Sequence, residues 1–199
     1  MPNSRYGSGS SRYCYAGTNV FINHYEIKND KQLQSMETIL STQRLSELQE
    51  KPVKGEFDLR HLQKIHEYLF RDLYPFAGEI RTENITKDGF SFAQARFIRE
   101  AAEPLFEQLI KENWEQMDRN RLAVKLAYYM AEINVLHPFR EGNGRSLREF
   151  ARCISLEAGY HLDWSAVPHE QVLRASIESV HDAGELQEVI EASLIRIKH

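Results

Sequence analysis

The chain has 199 residues, enough for one domain with a sizeable core, and at 42% hydrophobic and 27% charged it has a globular composition, not that of a disordered chain. Its net charge is −4 with the basic residues dispersed, which gives no nucleic-acid surface, and two cysteines, Cys14 and Cys153, can build neither a disulfide framework nor a zinc site. The first residues are rich in Ser, Gly and Arg and lack the apolar core of a secretory signal, and no apolar run nears membrane-spanning length, so a cytoplasmic protein with no membrane partner is expected.

In chain order, residues 1–30 read as a loose N-terminal arm and residues 31–199 as one domain. Leu33, Met36, Ile39, Leu40 and Leu45 mark a first helix that ends near Lys51-Pro52. Asp58 can cap a second, with an apolar face of Leu59, Leu62, Ile65, Leu69, Phe70 and Leu73, stopped by Pro75 and Gly78. Ile98, Ala102, Leu105, Phe106 and Leu109 repeat at helical spacing around Pro104, which must kink that helix or sit in its first turn. Leu122, Leu126, Tyr129, Met130 and Ile133 mark a fourth helix. Leu147, Phe150, Ala151, Ile154 and Ala158 mark a fifth, closed by Gly159. Weaker helical patterns cover 168–181 and 185–197. The fold class is all-α.

Residues 82–92 depart from this pattern, with two short β-prone runs around Asp88-Gly89, a pair suited to a type I′ turn. Such a hairpin is either a simple connection or an open edge where an extended peptide adds a strand.

The most informative segment is residues 137–148, His-Pro-Phe-Arg-Glu-Gly-Asn-Gly-Arg-Ser-Leu-Arg. Gly142, Asn143 and Gly144 open the fifth helix, where free N–H groups and glycines that allow close approach form an anion site. Arg145 and Arg148 stand three apart on one face, and their side chains lean toward the helix N-terminus, at the same anion. Glu141 beside that anion would be repelled unless a cation such as Mg²⁺ intervened. His137 can titrate near neutrality and is the natural general base. Taken singly, these residues read as a structural histidine, a solvated arginine face and a turn; one anion-binding geometry accounts for all of them. Phe139 is expected to anchor the loop in the core. Arg140 and Arg152 are expected to have surface or ion-pair roles.

At these residues the chain resembles the Fic family, whose signature is His-x-Phe-x-(Asp/Glu)-Gly-Asn-Gly-Arg-x-x-Arg. His137, Phe139, Glu141, Gly142, Asn143, Gly144, Arg145 and Arg148 match without a gap. Upstream, Tyr74-Pro-Phe-Ala-Gly78 with Arg81 is similar to the family's lead-in to its flap, and 82–92 to the flap, so the likeness covers about residues 58–159. The resemblance implies a Fic-type helical domain with a small β-hairpin flap, transferring AMP from ATP to a Tyr, Thr or Ser hydroxyl of a target protein. By position, His137 would deprotonate the target and Glu141 would hold Mg²⁺. Asn143, with the backbone of Gly142 and Gly144, would line the anion hole. Arg145 would bind the inner phosphates and Arg148 the γ-phosphate. Ile85, Thr86, Lys87, Phe90 and Phe92 would form the flap that docks the target.

Fic enzymes are commonly restrained by a helix carrying Ser/Thr-x-x-x-Glu-Gly/Asn, whose glutamate pairs with the second arginine, here Arg148. The nearest match, Ser46 to Glu50, is followed by Lys51 and reads better as the polar face of the first helix. The resemblance therefore implies a separate small antitoxin as partner, as in the bipartite Fic toxins, several of which modify type II topoisomerases. The alternatives are a translocated effector domain acting on a host GTPase, and a nucleotide-binding module without catalysis.

Overall fold

The computed structural model describes residues 11–87 and 89–197. Seven helices make up most of them: α1 Asp30–Glu50, α2 Leu59–Phe70, α3 Ile98–Ile110, α4 Arg119–Leu136, α5 Asn143–Glu157, α6 His169–Glu178 and α7 Gly184–Ser193. Two small antiparallel ladders accompany them. β1 (Thr86–Lys87) pairs with β2 (Phe90–Ser91), and β3 (Tyr160–Leu162) pairs with β4 (Leu194–Arg196).

α4 is the central rod, packed by α3, α5 and α7. Leu122, Leu126, Met130 and Ile133 are buried together with Ala123, Ala127 and Ala131 as one wide face, while Arg121, Val124, Tyr128 and Glu132 line a narrower exposed one. Asp58 caps α2 as expected, its side chain accepting from the His61 N–H at 2.7 Å, and Asp118 caps α4 in the same way from Arg121 at 2.8 Å. Pro104 lies well inside α3.

Four expectations are corrected. The final helical pattern stops at Ser193: residues 194–196 extend into β4 and pair with β3, which buries Leu194 against Leu162 in the core. The part of the arm in view is not loose. Cys14 and Phe21 bridge, the Tyr13 and Phe21 rings pack edge-on against Phe76, and Asn23 gathers four backbone groups of residues 21–27. Phe21 also carries the Arg140 guanidinium over its ring at 4.7 Å, so Arg140 is buried and not on the surface. Finally, α1 buries Leu33, Glu37, Ser41 and Leu48, while Ile39, assigned to its apolar face, is 64% exposed.

Arg152 is buried as an ion pair with Glu149, donating through Nε at 2.8 Å and Nη2 at 2.7 Å, and also reaches the Leu48 carbonyl at 2.7 Å. It thereby ties α5 to the end of α1. Removing one partner of a buried pair leaves the other charge stranded. Glu149→Ala is therefore expected to cost about 3–5 kcal/mol of unfolding free energy. Urea denaturation measures it; a loss below about 1 kcal/mol, the range of exposed pairs, would rule the pair out as a tie.

Candidate active site

The site is built where α4 ends and α5 begins. His137 caps α4 in the left-handed region (φ 45°), its N–H still donating to Ile133 at 3.0 Å. That conformation is uncommon for a residue with a side chain and turns the chain out of the helix at once. Phe139 follows as the loop's core anchor, 1% exposed and stacked on His66 at 3.9 Å. Gly142 is also left-handed (φ 79°), and a Cβ there would sit 2.3 Å from the Phe70 ring, so both the turn and the packing demand glycine.

Asn143 corrects an expectation. Its side chain donates to the Phe139 carbonyl at 2.8 Å and accepts the Phe139 N–H at 2.9 Å, closing the loop on itself. Its amide is committed to the loop and does not line an anion hole. The backbone at the start of α5 remains for that purpose, because Gly142 makes no side-chain cap and the first-turn N–H groups have no intrahelical acceptor.

His66 fixes the loop from behind. Its Nδ1 accepts the Gly78 N–H at 2.8 Å, so Nε2 carries the proton and donates to the Glu141 carbonyl at 2.9 Å. Complete burial holds it neutral, its pKa pushed down to about 3. One neutral imidazole thus joins the lead-in of the hairpin to the glycine loop.

Arg81 performs the corresponding task at His137. It is 1% exposed, and its guanidinium donates to the carbonyls of His137 (2.8 Å), Glu83 (2.7 Å), Ala93 (2.6 Å) and Leu136 (3.2 Å), while its own N–H reaches Pro138 (2.9 Å). The His137 ring is nearly buried and stacks on Phe92 at 3.9 Å. Burial, reinforced by the Arg81 charge, pushes its pKa down to about 3 despite the Asn134 backbone, which favours the protonated form. The expected titration near neutrality is thereby corrected: in the free protein His137 is a neutral imidazole.

The two arginines differ in their surroundings. Arg145 donates to Ser41 (Nη1, 2.9 Å) and to Glu37, lies over the Phe70 ring at 4.7 Å, and stands 3.8 Å from Glu141. Arg148 has no side-chain partner among the described residues, and its Nη1 would lie 3.3 Å from a Cβ placed on Gly144. Burial and the neighbouring Arg145 charge lower its pKa to about 10. An anion at the α5 N-terminus would relieve both. Glu141 lies beside it, one carboxylate oxygen accepting the Gly142 N–H at 3.0 Å.

The hairpin pairs Thr86 with Ser91 and Lys87 with Phe90, with Gly89 at φ 83°; Asp88 of the expected turn lies outside the described residues. Its named residues divide. Thr86 and Lys87 are exposed, and Phe90 and Phe92 are half-buried, Phe92 with one ring face on His137; Ile85 is buried and does not offer its side chain to a docking surface.

Glu37, Ser41 and His66 were not anticipated as parts of the site. No local signal marks Glu37 or Ser41, which lie about a hundred residues from the motif. His66 has one: a polar residue in the middle of the Leu62–Leu69 apolar face.

Replacing Gly142 by alanine is expected to destabilise the protein by about 2–5 kcal/mol, combining the left-handed penalty with overpacking against Phe70. Gly89→Ala faces open space at a similar φ and should lose only the conformational part, about 1–2 kcal/mol. Thermal melts of the two variants compare them; equal losses would show that Phe70 yields freely.

Residues 56–154 match the Fic/DOC family. The chain is 39% identical over 187 residues to the protein adenylyltransferase VbhT of Bartonella schoenbuchensis, covering 94% of this chain but only 39% of VbhT. It is 30% identical to "Probable protein adenylyltransferase Fic" of Escherichia coli K12, covering 83% of this chain and 82% of that protein. In structure it is similar to the N-terminal Fic domain of a VirB-translocated Bep effector protein from Bartonella quintana with bound ADP, with a TM-score of 0.86 at 25% identity, covering 94% of this chain and 95% of that one. The BepC protein of Bartonella tribocorum with bound AMPPNP shares the fold at the same TM-score and 24% identity, covering 94% and 97%. An unbroken signature on a loop held by Arg81 and His66, a small hairpin against His137 and these relatives agree: the chain belongs to the Fic/DOC family.

Proposed function

We propose that the chain is a protein adenylyltransferase, transferring AMP from ATP to a hydroxyl side chain of a target protein with release of pyrophosphate. The observation that carries this reading is an uncapped helix N-terminus beside Arg148, whose charge is uncompensated among the described residues, next to a buried neutral imidazole. Relatives named adenylyltransferases, and Fic domains with ADP or AMPPNP bound, support it.

In this reading the N–H groups of the first turn of α5 hold the phosphates, Arg145 contacts the inner ones and Arg148 the γ-phosphate. His137 accepts the proton of the target hydroxyl as its oxygen attacks the α-phosphate and the bond to the β-phosphate oxygen breaks. A histidine that is neutral before substrate arrives is ready to accept, and nucleotide charge raises its basicity in the complex. Among the described residues no group of three His, Cys, Asp or Glu could hold a metal ion. A single carboxylate at Glu141 fits Mg²⁺ arriving with the nucleotide, since Mg²⁺ takes few protein oxygens and completes its shell with phosphate and water. Bound there, it would neutralise charge on the phosphates and leaving group.

The target lies along the hairpin. The Phe92 N–H donates to the Ile85 carbonyl at 3.3 Å, so within the register Thr86 and Ser91 form the pair whose backbone groups point outward. Those groups can pair with an extended target segment. By the resemblance, the target class is a type II topoisomerase subunit and the restraint a small antitoxin whose glutamate meets Arg148. Exposure of Ser46 and Glu50 on α1 supports a restraint from outside this helix motif. A second reading, an effector domain that modifies a host GTPase, is favoured by the VirB-translocated neighbours. Adenylylated peptides identified by mass spectrometry in cells expressing the chain, bacterial or host, discriminate them. No described helix is long and apolar enough to cross a membrane.

His137→Ala is expected to retain ATP binding and to lower transfer of radiolabelled AMP by about 10²–10⁴-fold. Near-normal turnover would remove His137 from the chemistry, and no transfer by the unaltered chain to any protein would favour a nucleotide-binding module. Because the free-protein pKa is about 3, kcat/KM should not fall through protonation of His137 between about pH 8 and 5, and the acidic limb of kcat should lie at higher pH than that of kcat/KM. A loss of kcat/KM centred near the ordinary histidine value of about 6.5 would contradict the neutral, buried state.

Proline at Thr86 or at Ser91 removes one outward N–H. At least one of the two variants is expected to lose target modification at least tenfold while calorimetry shows unchanged AMPPNP binding. Persistence of modification in both would leave the hairpin a connector.

A further inference from the structure

α1 is a surface helix, yet the middle of its buried stripe holds a carboxylate: Leu33, Glu37, Ser41 and Leu48 face inward, and Glu37 is 6% exposed. A leucine would serve packing better, since burying a carboxylate costs several kcal/mol even when it is paired. Both carboxylate oxygens are engaged. One accepts from Arg145 of the glycine-loop helix, the other from the Tyr74 hydroxyl at the end of the α2 turn. Ser41, one turn along, takes a second Arg145 nitrogen at 2.9 Å, and Phe70 closes the guanidinium's face. Tyr74 is itself fixed, stacked on Phe76 at 4.8 Å. The chain therefore holds one arginine of the proposed phosphate site on three sides and leaves the other, Arg148, uncompensated among the described residues.

We propose that Glu37, braced by Tyr74, is a positioning residue for Arg145. It orients the guanidinium and offsets its charge, so that the attraction for nucleotide rests on Arg148 while Arg145 meets charge that develops during transfer. This rests on the adenylyltransferase reading above. An arginine tethered before substrate arrives spends little on ordering, and a small misplacement of such a group lowers the rate more than the affinity.

The test compares Glu37→Gln, Glu37→Ala and Tyr74→Phe in the full chain. Initial rates of AMP incorporation into the chain itself are measured against Mg-ATP concentration, with AMPPNP affinity by calorimetry and the guanidinium signals of Arg145 by nitrogen-15 NMR. Glutamine keeps the shape and both hydrogen-bond partners but loses the charge, so kcat should fall in the order unaltered chain, Glu37→Gln, Glu37→Ala, by up to about 10²-fold. KM for ATP and AMPPNP affinity should stay level or improve, because Arg145 is unmasked. Tyr74→Phe, which keeps the ring in the core, should shift kcat in the same direction and release the rotation of Arg145. A rise in activity would overturn the proposal and make α1 a brake; a raised KM with unchanged kcat would overturn it in favour of uniform nucleotide binding. Should Glu37→Ala fail to fold, Tyr74→Phe and Glu37→Gln decide alone. If the unaltered chain transfers no AMP, the function falls separately, and the NMR signals still decide: a guanidinium as restricted in the variants as in the unaltered chain overturns the tether.

Discussion

The site depends on one buried guanidinium. Arg81 places its donors among carbonyls of residues 83, 93, 136 and 137, groups that otherwise have little reason to meet. Two of them belong to the hairpin's stems and two to the end of α4. Hairpins this short have marginal stability alone, so the stems need an anchor. The same contacts satisfy carbonyls that the left-handed turn at His137 removes from the helical ladder. Lysine could not substitute: it has one ammonium centre, whereas this geometry uses a planar fork of donors aimed in different directions.

Placing that charge beside His137 has an electrostatic effect. A cation next to a desolvated imidazole disfavours the imidazolium, so one residue both shapes the turn and keeps the histidine a proton acceptor. His66 reaches the same neutral state by another route, through complete burial and a tautomer set by the Gly78 N–H and the Glu141 carbonyl. The two histidines bracket the loop, His137 at its start against Phe92 and His66 behind it.

Much of this was legible from residue order. Helix α2 announced itself through Asp58 and a clean apolar stripe, and α5 through its glycine loop, stripe and Gly159. The motif brought His137, Glu141, Arg145 and Arg148 together because they are neighbours in sequence, separated by one tight turn. Ile39 fits the apolar spacing of α1 yet points outward, because the inward face carries Glu37 and Ser41, polar residues whose partner Arg145 lies more than a hundred residues away. Leu194-Ile-Arg196 continues a helical apolar pattern in sequence, and only pairing with β3 makes it a strand. Residue type alone suggests an anion-hole role for Asn143; which way an amide faces depends on the loop it closes, and that is a tertiary fact.

The Asn143 ring closure has a bearing on chemical ageing. Asn143-Gly144 is an asparagine–glycine pair, the dipeptide whose side-chain amide is most readily attacked by the following backbone nitrogen to form a succinimide. Here the peptide is helical and the amide is clasped on both sides by Phe139, so the nitrogen cannot swing onto the amide carbon without opening the loop. Were hydrolysis to occur, the resulting carboxylate would face the Phe139 carbonyl with an acceptor where a donor is required and add negative charge next to the proposed anion site. The clasp that shapes the loop thus also sets its chemical lifetime, which should track how often residues 139–143 open.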